Sequence, residues 1–119
     1  MSDYKTPAEH ADVAAEAIRA INHLTRISQV DWEYPGDAYS TVANLAAMVH
    51  RLPQALDQIA AFVTRLSEED HLRADRDLDP AALAASIRVG LNLAKGDAES
   101  LARRLDVVHG DLGPLAWKD

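Results

Sequence analysis

The chain is 119 residues long, which is near the commonest domain size and allows one domain with a modest core. Hydrophobic residues make up 48% of it but aromatic residues only 5%, a composition that favours closely packed helices over a β-sandwich. Because the chain has no cysteine, disulfides, thiolate metal sites and cysteine nucleophiles are excluded. We expect residues 1–119 to form a single helical-bundle domain with a short C-terminal tail over residues 110–119.

The net charge is −7, which argues against contact with a nucleic-acid backbone through a basic face. Residues 67–79 hold six acids and two arginines, so this short segment carries more than half of the excess negative charge. No apolar stretch approaches the roughly 20 residues that cross a bilayer, and the N-terminus lacks the hydrophobic segment of an export signal. We therefore expect a soluble, cytoplasmic protein that does not bind membranes.

The first helix is predicted over residues 7–28. Thr6 is a typical N-cap, Pro7 suits the first helical position, and Glu9 completes a capping box. Apolar residues recur on one face, which indicates an amphipathic helix; they are Val13, Ala14, Ala17, Ile18, Ile21, Leu24 and Ile27.

The second helix is predicted over residues 38–66, after a Pro35-Gly36 break and with Asp37 as its cap. Its apolar residues alternate at spacings of three and four, as in helices that pack lengthwise on one another. This seam consists of Val42, Leu45, Val49, Leu52, Leu56, Ile59, Val63 and Leu66. With Val42 as heptad position a, the e and g positions are apolar as well, which predicts at least two neighbouring helices. Pro53 predicts either a kink or a division of this helix, and the unbroken phase of the seam favours the kink.

The third helix is predicted over residues 80–109, from Asp79 as cap and Pro80 as first residue to a C-terminal cap at Gly110. Its seam has charged borders and is therefore narrower; it consists of Ala84, Ile87, Leu91, Ala94, Ala98, Leu101, Leu105 and Val108. Together the patterns predict an all-α fold, an antiparallel bundle of three long helices in which the first fills the groove between the other two.

The candidate metal motifs are incomplete. Asp75, Asp77 and Asp79 resemble the start of a calcium loop, but Pro80 and Ser86 stand where that loop needs glycine and glutamate. A Glu-x-x-His pair at residues 68–71 has only an Asp-x-x-His echo at residues 106–109, whereas a di-metal bundle needs two such motifs and two further glutamates. We predict no catalytic residues, no cofactor and no bound metal.

The few aromatic residues are the least ordinary feature of the sequence. Trp32, Tyr34 and Tyr39 could close the open end of the bundle, or they could anchor a partner protein through rigid area with a polar tip. The residues predicted to bind a partner are Trp32, Tyr34, Tyr39, Met48, Phe62 and Trp117.

Residues 17–66 resemble small helical proteins common in actinobacteria, above all in Ala-Ile-Asn-His-Leu-Thr at 20–25, Tyr-Pro-Gly-Asp-Ala-Tyr at 34–39 and His-Arg-Leu-Pro-Gln-Ala-Leu at 50–56. These proteins have no assigned activity. Some are similar to cargo of plasmids, integrated elements or phages, which implies an accessory role.

The sequence favours a non-enzymatic protein-interaction or scaffolding module that self-associates, with a homodimer as the simplest assembly. Two alternatives stay open. One is an acidic inhibitor or nucleic-acid mimic that occupies a basic partner, and the other is a metal-dependent helical-bundle hydrolase.

Overall fold

The structure, a computed structural model, describes residues 5–26 and 31–119. Three α-helices follow one another in the chain: α1 (Pro7–Leu24), α2 (Pro35–Glu68) and α3 (Pro80–Leu112). No β-strand occurs within these two described ranges. The prediction of an all-α fold with three long helices is confirmed.

The three helices all begin with proline at the first helical position, where the missing N–H is not needed for an intrahelical hydrogen bond. Thr6 Oγ1 accepts a hydrogen bond from the backbone N–H of Glu9, and Asp79 Oδ1 accepts one from Ala81, so both predicted caps are confirmed. The predicted start of α2 is wrong by three residues, because Pro35 begins this helix instead of breaking it. Asp37 lies inside the first turn, where its carboxylate accepts from the backbone N–H groups of Glu33 and Tyr34, both at 2.9 Å.

The helix ends also differ from the predicted ones. α1 ends at Leu24, capped by Thr25, whose N–H and hydroxyl both donate to the Ile21 carbonyl; the predicted end at Ser28 lies outside the described residues. α3 continues through Gly110 to Leu112, so the predicted cap at Gly110 is wrong. Glycine in αR geometry can extend a helix, and here none of the described glycines has a positive φ.

α2 ends in a Schellman motif without glycine. The N–H of His71 donates to the Leu66 carbonyl and that of Asp70 to the Ser67 carbonyl, which satisfies two carbonyls of the last turn. Asp70 takes the left-handed conformation this motif requires, with φ 58°. The chain thus leaves α2 sharply toward the acidic connector, where Arg76 and Asp77 also have positive φ.

α2 and α3 form an antiparallel hairpin. Asp57 near the middle of α2 pairs with Lys95, and His50, two turns earlier, pairs with Asp106 further along α3. The buried residues of the hairpin interface have small side chains, which allow close approach of the two backbones. The residues buried in it are Ala46, Val49, Ala60, Ala84, Ala98 and Ala102.

α2 continues through Pro53 as one helix, so Pro53 does not divide it into two helices. Pro53 has no N–H to donate to the Val49 carbonyl, and the hydrogen-bond ladder of α2 is interrupted at this turn. The side chain is half-buried between α2 and α3. Of the two outcomes predicted for Pro53, division of the helix is not realised.

α1 does not fill the groove of the hairpin. Within the described residues it packs against neither α2 nor α3, and none of its residues is buried. The expectations that α1 covers the hairpin and that α2 has two neighbours are both wrong for the single chain. The radius of gyration is 19.4 Å, against about 13.5 Å for a compact domain of this length.

Candidate interaction surface

The hairpin is held together by positions a and e of both heptad patterns, not by the predicted a and d positions. On α2 the line of contact runs through Ala46, Val49, Leu56 and Ala60, and on α3 it includes Ala98, Ala102 and Leu105. Both helices are therefore rotated toward their e positions. This rotation moves most of the d and g positions of both helices out of the interface, although Met48 at a g position still packs against the buried cluster.

The e side of the hairpin is polar. His50 Nε2 lies 2.8 Å from Asp106 Oδ2, and Lys95 Nζ lies 2.8 Å from Asp57 Oδ2. The hydrogen bond from Lys95 to Asp57, together with the attraction between the two charges, raises the pKa of Lys95. The ion pair between Lys95 and Asp57 and the hydrogen bond between His50 and Asp106 bridge α2 and α3 along one side of their contact.

The opposite side is apolar. In an antiparallel pair of helices, residues that are rotated in the same direction away from the contact line lie on the same side of the pair. His50 and Asp106 are an example, because they contact each other on the e side. The d and g positions of α2 and α3 are turned in the other sense and therefore share the other side. We call this surface the apolar flank; it consists of Leu52, Ile59, Phe62, Leu83, Ile87, Leu101 and Val108, all exposed.

The exposure of the apolar flank is large for aliphatic and aromatic side chains. Ile59 is 50% exposed and Phe62 52% exposed, although both lie more than one turn from the end of a long helix. Scattered exposed apolar residues are normal on a protein surface, and Val89, Leu93 and Val107 of α3 are exposed outside the flank. Seven such residues on one side of the hairpin indicate an interaction site. Phe62 also lies under the guanidinium of Arg65, whose carbon is 5.5 Å from the ring centroid.

α1 presents a second uncovered apolar face. Val13 is 47% exposed and Leu24 54% exposed, and Ile18 and Ile21 between them are only half-buried. A helix of 18 residues without tertiary contacts is marginally stable in water. The face predicted to be buried is thus available for contact in the single chain.

The total accessible surface of the chain agrees with these two faces. It amounts to 9534 Å², whereas a compact monomer of 13.0 kDa exposes about 6,300 Å². The excess is about 3,200 Å², several times the roughly 800 Å² that each partner contributes to a standard interface.

The predicted aromatic residues gather at one end of the hairpin. The rings of Tyr34 and Trp117 meet edge to face with centroids 5.2 Å apart, and Tyr39 stacks on His109 at 4.2 Å. Here the start of α2 meets the end of α3 and the tail that follows it. Trp32 is half-buried in the preceding connector. Tyr34, Tyr39 and Trp117 are all exposed, so both roles weighed for these aromatics stay open.

The six residues predicted to bind a partner do not form one patch. Met48 packs against the buried cluster of Val49, Ala98 and Ala102, and Phe62 lies two heptads further along α2 on the apolar flank. Most of the flank was missed by sequence reasoning, which assigned Leu52, Ile59 and their counterparts on α3 to a buried seam. The signal that could have found it is the apolar g positions of α2, which widen its apolar face beyond what one partner helix covers.

Metal chemistry finds no support in the geometry. Within residues 5–26 and 31–119, no three His, Asp or Glu side chains converge closely enough to hold a metal ion. The carboxylates of Asp75, Asp77 and Asp79 lie in the exposed connector, and Asp79 acts as a helix cap. In the same part of the chain, no helix is long and apolar enough to cross a membrane.

Comparison of the chain with protein-family models, with curated proteins and with solved structures finds no match.

Proposed function

We propose that this chain is a non-enzymatic interaction module whose binding surface is the apolar flank of the α2–α3 hairpin. The observation that carries the proposal is the contrast between the two sides of the hairpin. One side is bridged by an ion pair and a hydrogen bond, both at 2.8 Å, while the other exposes a line of Leu, Ile, Val and Phe side chains.

The small core supports the same proposal. Six residues of the described chain are buried, five of them alanines and one a valine, and burial of such small side chains releases little apolar surface from water. Covering a half-exposed Leu, Ile or Phe side chain contributes about 1 kcal/mol. Burial of the flank by a partner would therefore stabilise the complex. The cysteine-free sequence suits a reducing cytoplasm, where we place this interaction.

Site-specific photo-crosslinking in the native host tests the proposal. A photoreactive amino acid replaces Phe62 on the apolar flank, and in the matched control it replaces Gln54, an exposed residue on the polar side of α2, turned away from the flank. We expect covalent protein adducts, of whatever identity, from position 62 and few or none from position 54. Equal yields at the two positions would contradict the proposal.

A further inference from the structure

We infer that the apolar flank binds the apolar flank of a second copy of this chain, so that two hairpins form a four-helix bundle around a two-fold axis. This inference rests on the proposed function and names the partner. In a four-helix bundle each helix contacts two neighbours and uses a wide apolar face to do so. α2 has such a face, but the single chain supplies it with one neighbour.

The charges on the flank favour a second copy of the same chain. The chain as a whole carries −7, which opposes self-association. Asp97, Arg104 and Asp111 are the charged g positions of α3 and border the apolar flank; all three are exposed and form no ion pair within the described residues. Two acids and one base give this side of α3 a net charge of −1, so the local charge opposes a second copy far less than the −7 of the whole chain does. Asp97 and Arg104 are opposite in charge.

The spacing of these two residues fixes the symmetry. They are seven residues apart, about 10 Å along one side of α3. If α3 of one copy runs antiparallel to α3 of the other and the two-fold axis passes midway between these residues, each Asp97 faces an Arg104 of the second copy. The interface is then self-complementary, as a two-fold contact requires.

The same axis fits α2. The pairs Asp57–Lys95 and His50–Asp106 set the register of the hairpin, and they place the midpoint of Asp97 and Arg104 level with Leu52 and Pro53. These residues lie at the centre of α2, which spans Pro35–Glu68. An axis at this level therefore lets α2 overlap its symmetry mate along its whole length, with Leu52 near the axis.

Sedimentation velocity of the full chain tests the inference, with charge reversals as probes. The purified protein is expected to sediment as a dimer of 13.0 kDa chains at micromolar concentration. Asp97→Arg or Arg104→Asp alone creates two like-charged contacts per dimer, and we expect the dissociation constant to rise roughly tenfold for each. The double variant D97R/R104D restores opposite charges and should return to within about threefold of the wild-type value.

Glu99→Arg is the matched control, because it makes the same charge change two residues away on the polar side of α3. It should leave the dissociation constant unchanged. If both single reversals and the control have equal effects, or if the double variant is as weak as the single ones, the proposed arrangement is overturned. Circular dichroism of each variant checks that the helices are intact. If a single variant loses its helical signal, the dissociation constants of the double variant and the wild type are compared instead.

A second measurement does not depend on charge. The chain contains no cysteine, so Leu101→Cys places a single thiol next to the proposed axis. A short bismaleimide should link this variant into dimers, whereas Gln54→Cys on the polar side of α2 should stay unlinked. A wild-type chain that remains monomeric at about 100 µM overturns the inference, and photo-crosslinking of position 62 to another protein would then still support the proposed function.

Discussion

The close approach of α2 and α3 makes Ala102 the most sensitive position in the hairpin. Ala102 is 2% exposed and packs with Val49 and Ala98 in the buried cluster. Ala102→Leu adds three carbon atoms at a buried position where α2 and α3 pack directly on each other through Val49 and Ala98. Overpacking of this kind costs about 1–3 kcal/mol. For a chain of this size each kcal/mol corresponds to about 4 °C, so the melting temperature should fall by roughly 4–12 °C.

Thermal unfolding followed by circular dichroism measures this effect, with all variants at one protein concentration because association shifts the midpoint. Ala82→Leu is the matched control: it makes the same chemical change on the exposed outer side of α3 and should shift the midpoint by less than about 2 °C. If the Ala102→Leu and Ala82→Leu variants melt at the same temperature, the size of the side chain at position 102 does not limit how the two helices pack, and the reasoning is refuted.

Three further predictions concern α1, the end of α2 and the start of α2. Ala17→Pro should abolish the helical signal of the 18 residues of α1 and leave the melting temperature of the hairpin within about 2 °C, since α1 does not pack on it; a large drop in the melting temperature would show that α1 is docked. Asp70→Gly should raise the free energy of unfolding by about 0.5–1 kcal/mol in urea titrations, because φ is 58° there, whereas a loss of stability would refute the strain argument. Backbone hydrogen bonds from Glu33 and Tyr34 lower the pKa of Asp37. The ionised carboxylate therefore stabilises the fold above the unfolded-state pKa of 3.8, and this stabilisation is lost as the pH falls through the lower folded-state pKa. Asp37→Asn should thus lower the melting temperature at pH 7 and have less effect at pH 2.5; equal effects at both pH values would contradict this assignment.

Local sequence determined where the helices begin. Threonine or aspartate followed by proline is sufficient to start a helix, because an N-cap needs only a side-chain oxygen within three residues and a proline whose missing N–H costs nothing. Thr6 and Asp79 were predicted on this basis, and both caps are present. The same rule does not cover Pro35, because Tyr34 precedes it; the carboxylate of Asp37 satisfies the first turn of α2 instead, which sequence analysis assigned to a later start. The C-terminal ends of the helices were less predictable. At the end of α2, Asp70 adopts a left-handed conformation that is typical of glycine.

The heptad patterns determined that long helices would pack lengthwise, since a spacing of three and four produces a continuous apolar stripe whatever covers it. Only the tertiary structure decided which edge of the stripe is covered. Alanines at 46, 60, 98 and 102 let the backbones approach most closely along positions a and e, and most of the larger side chains at positions d and g are turned outward. The apolar stripe of α2 is wide enough for two neighbouring helices, and the hairpin supplies one, α3. The apolar flank therefore stays exposed. Sequence periodicity shows which face of a helix is apolar, but it does not show which part of that face another helix covers. The position of the candidate binding surface could therefore be read only from the packed helices.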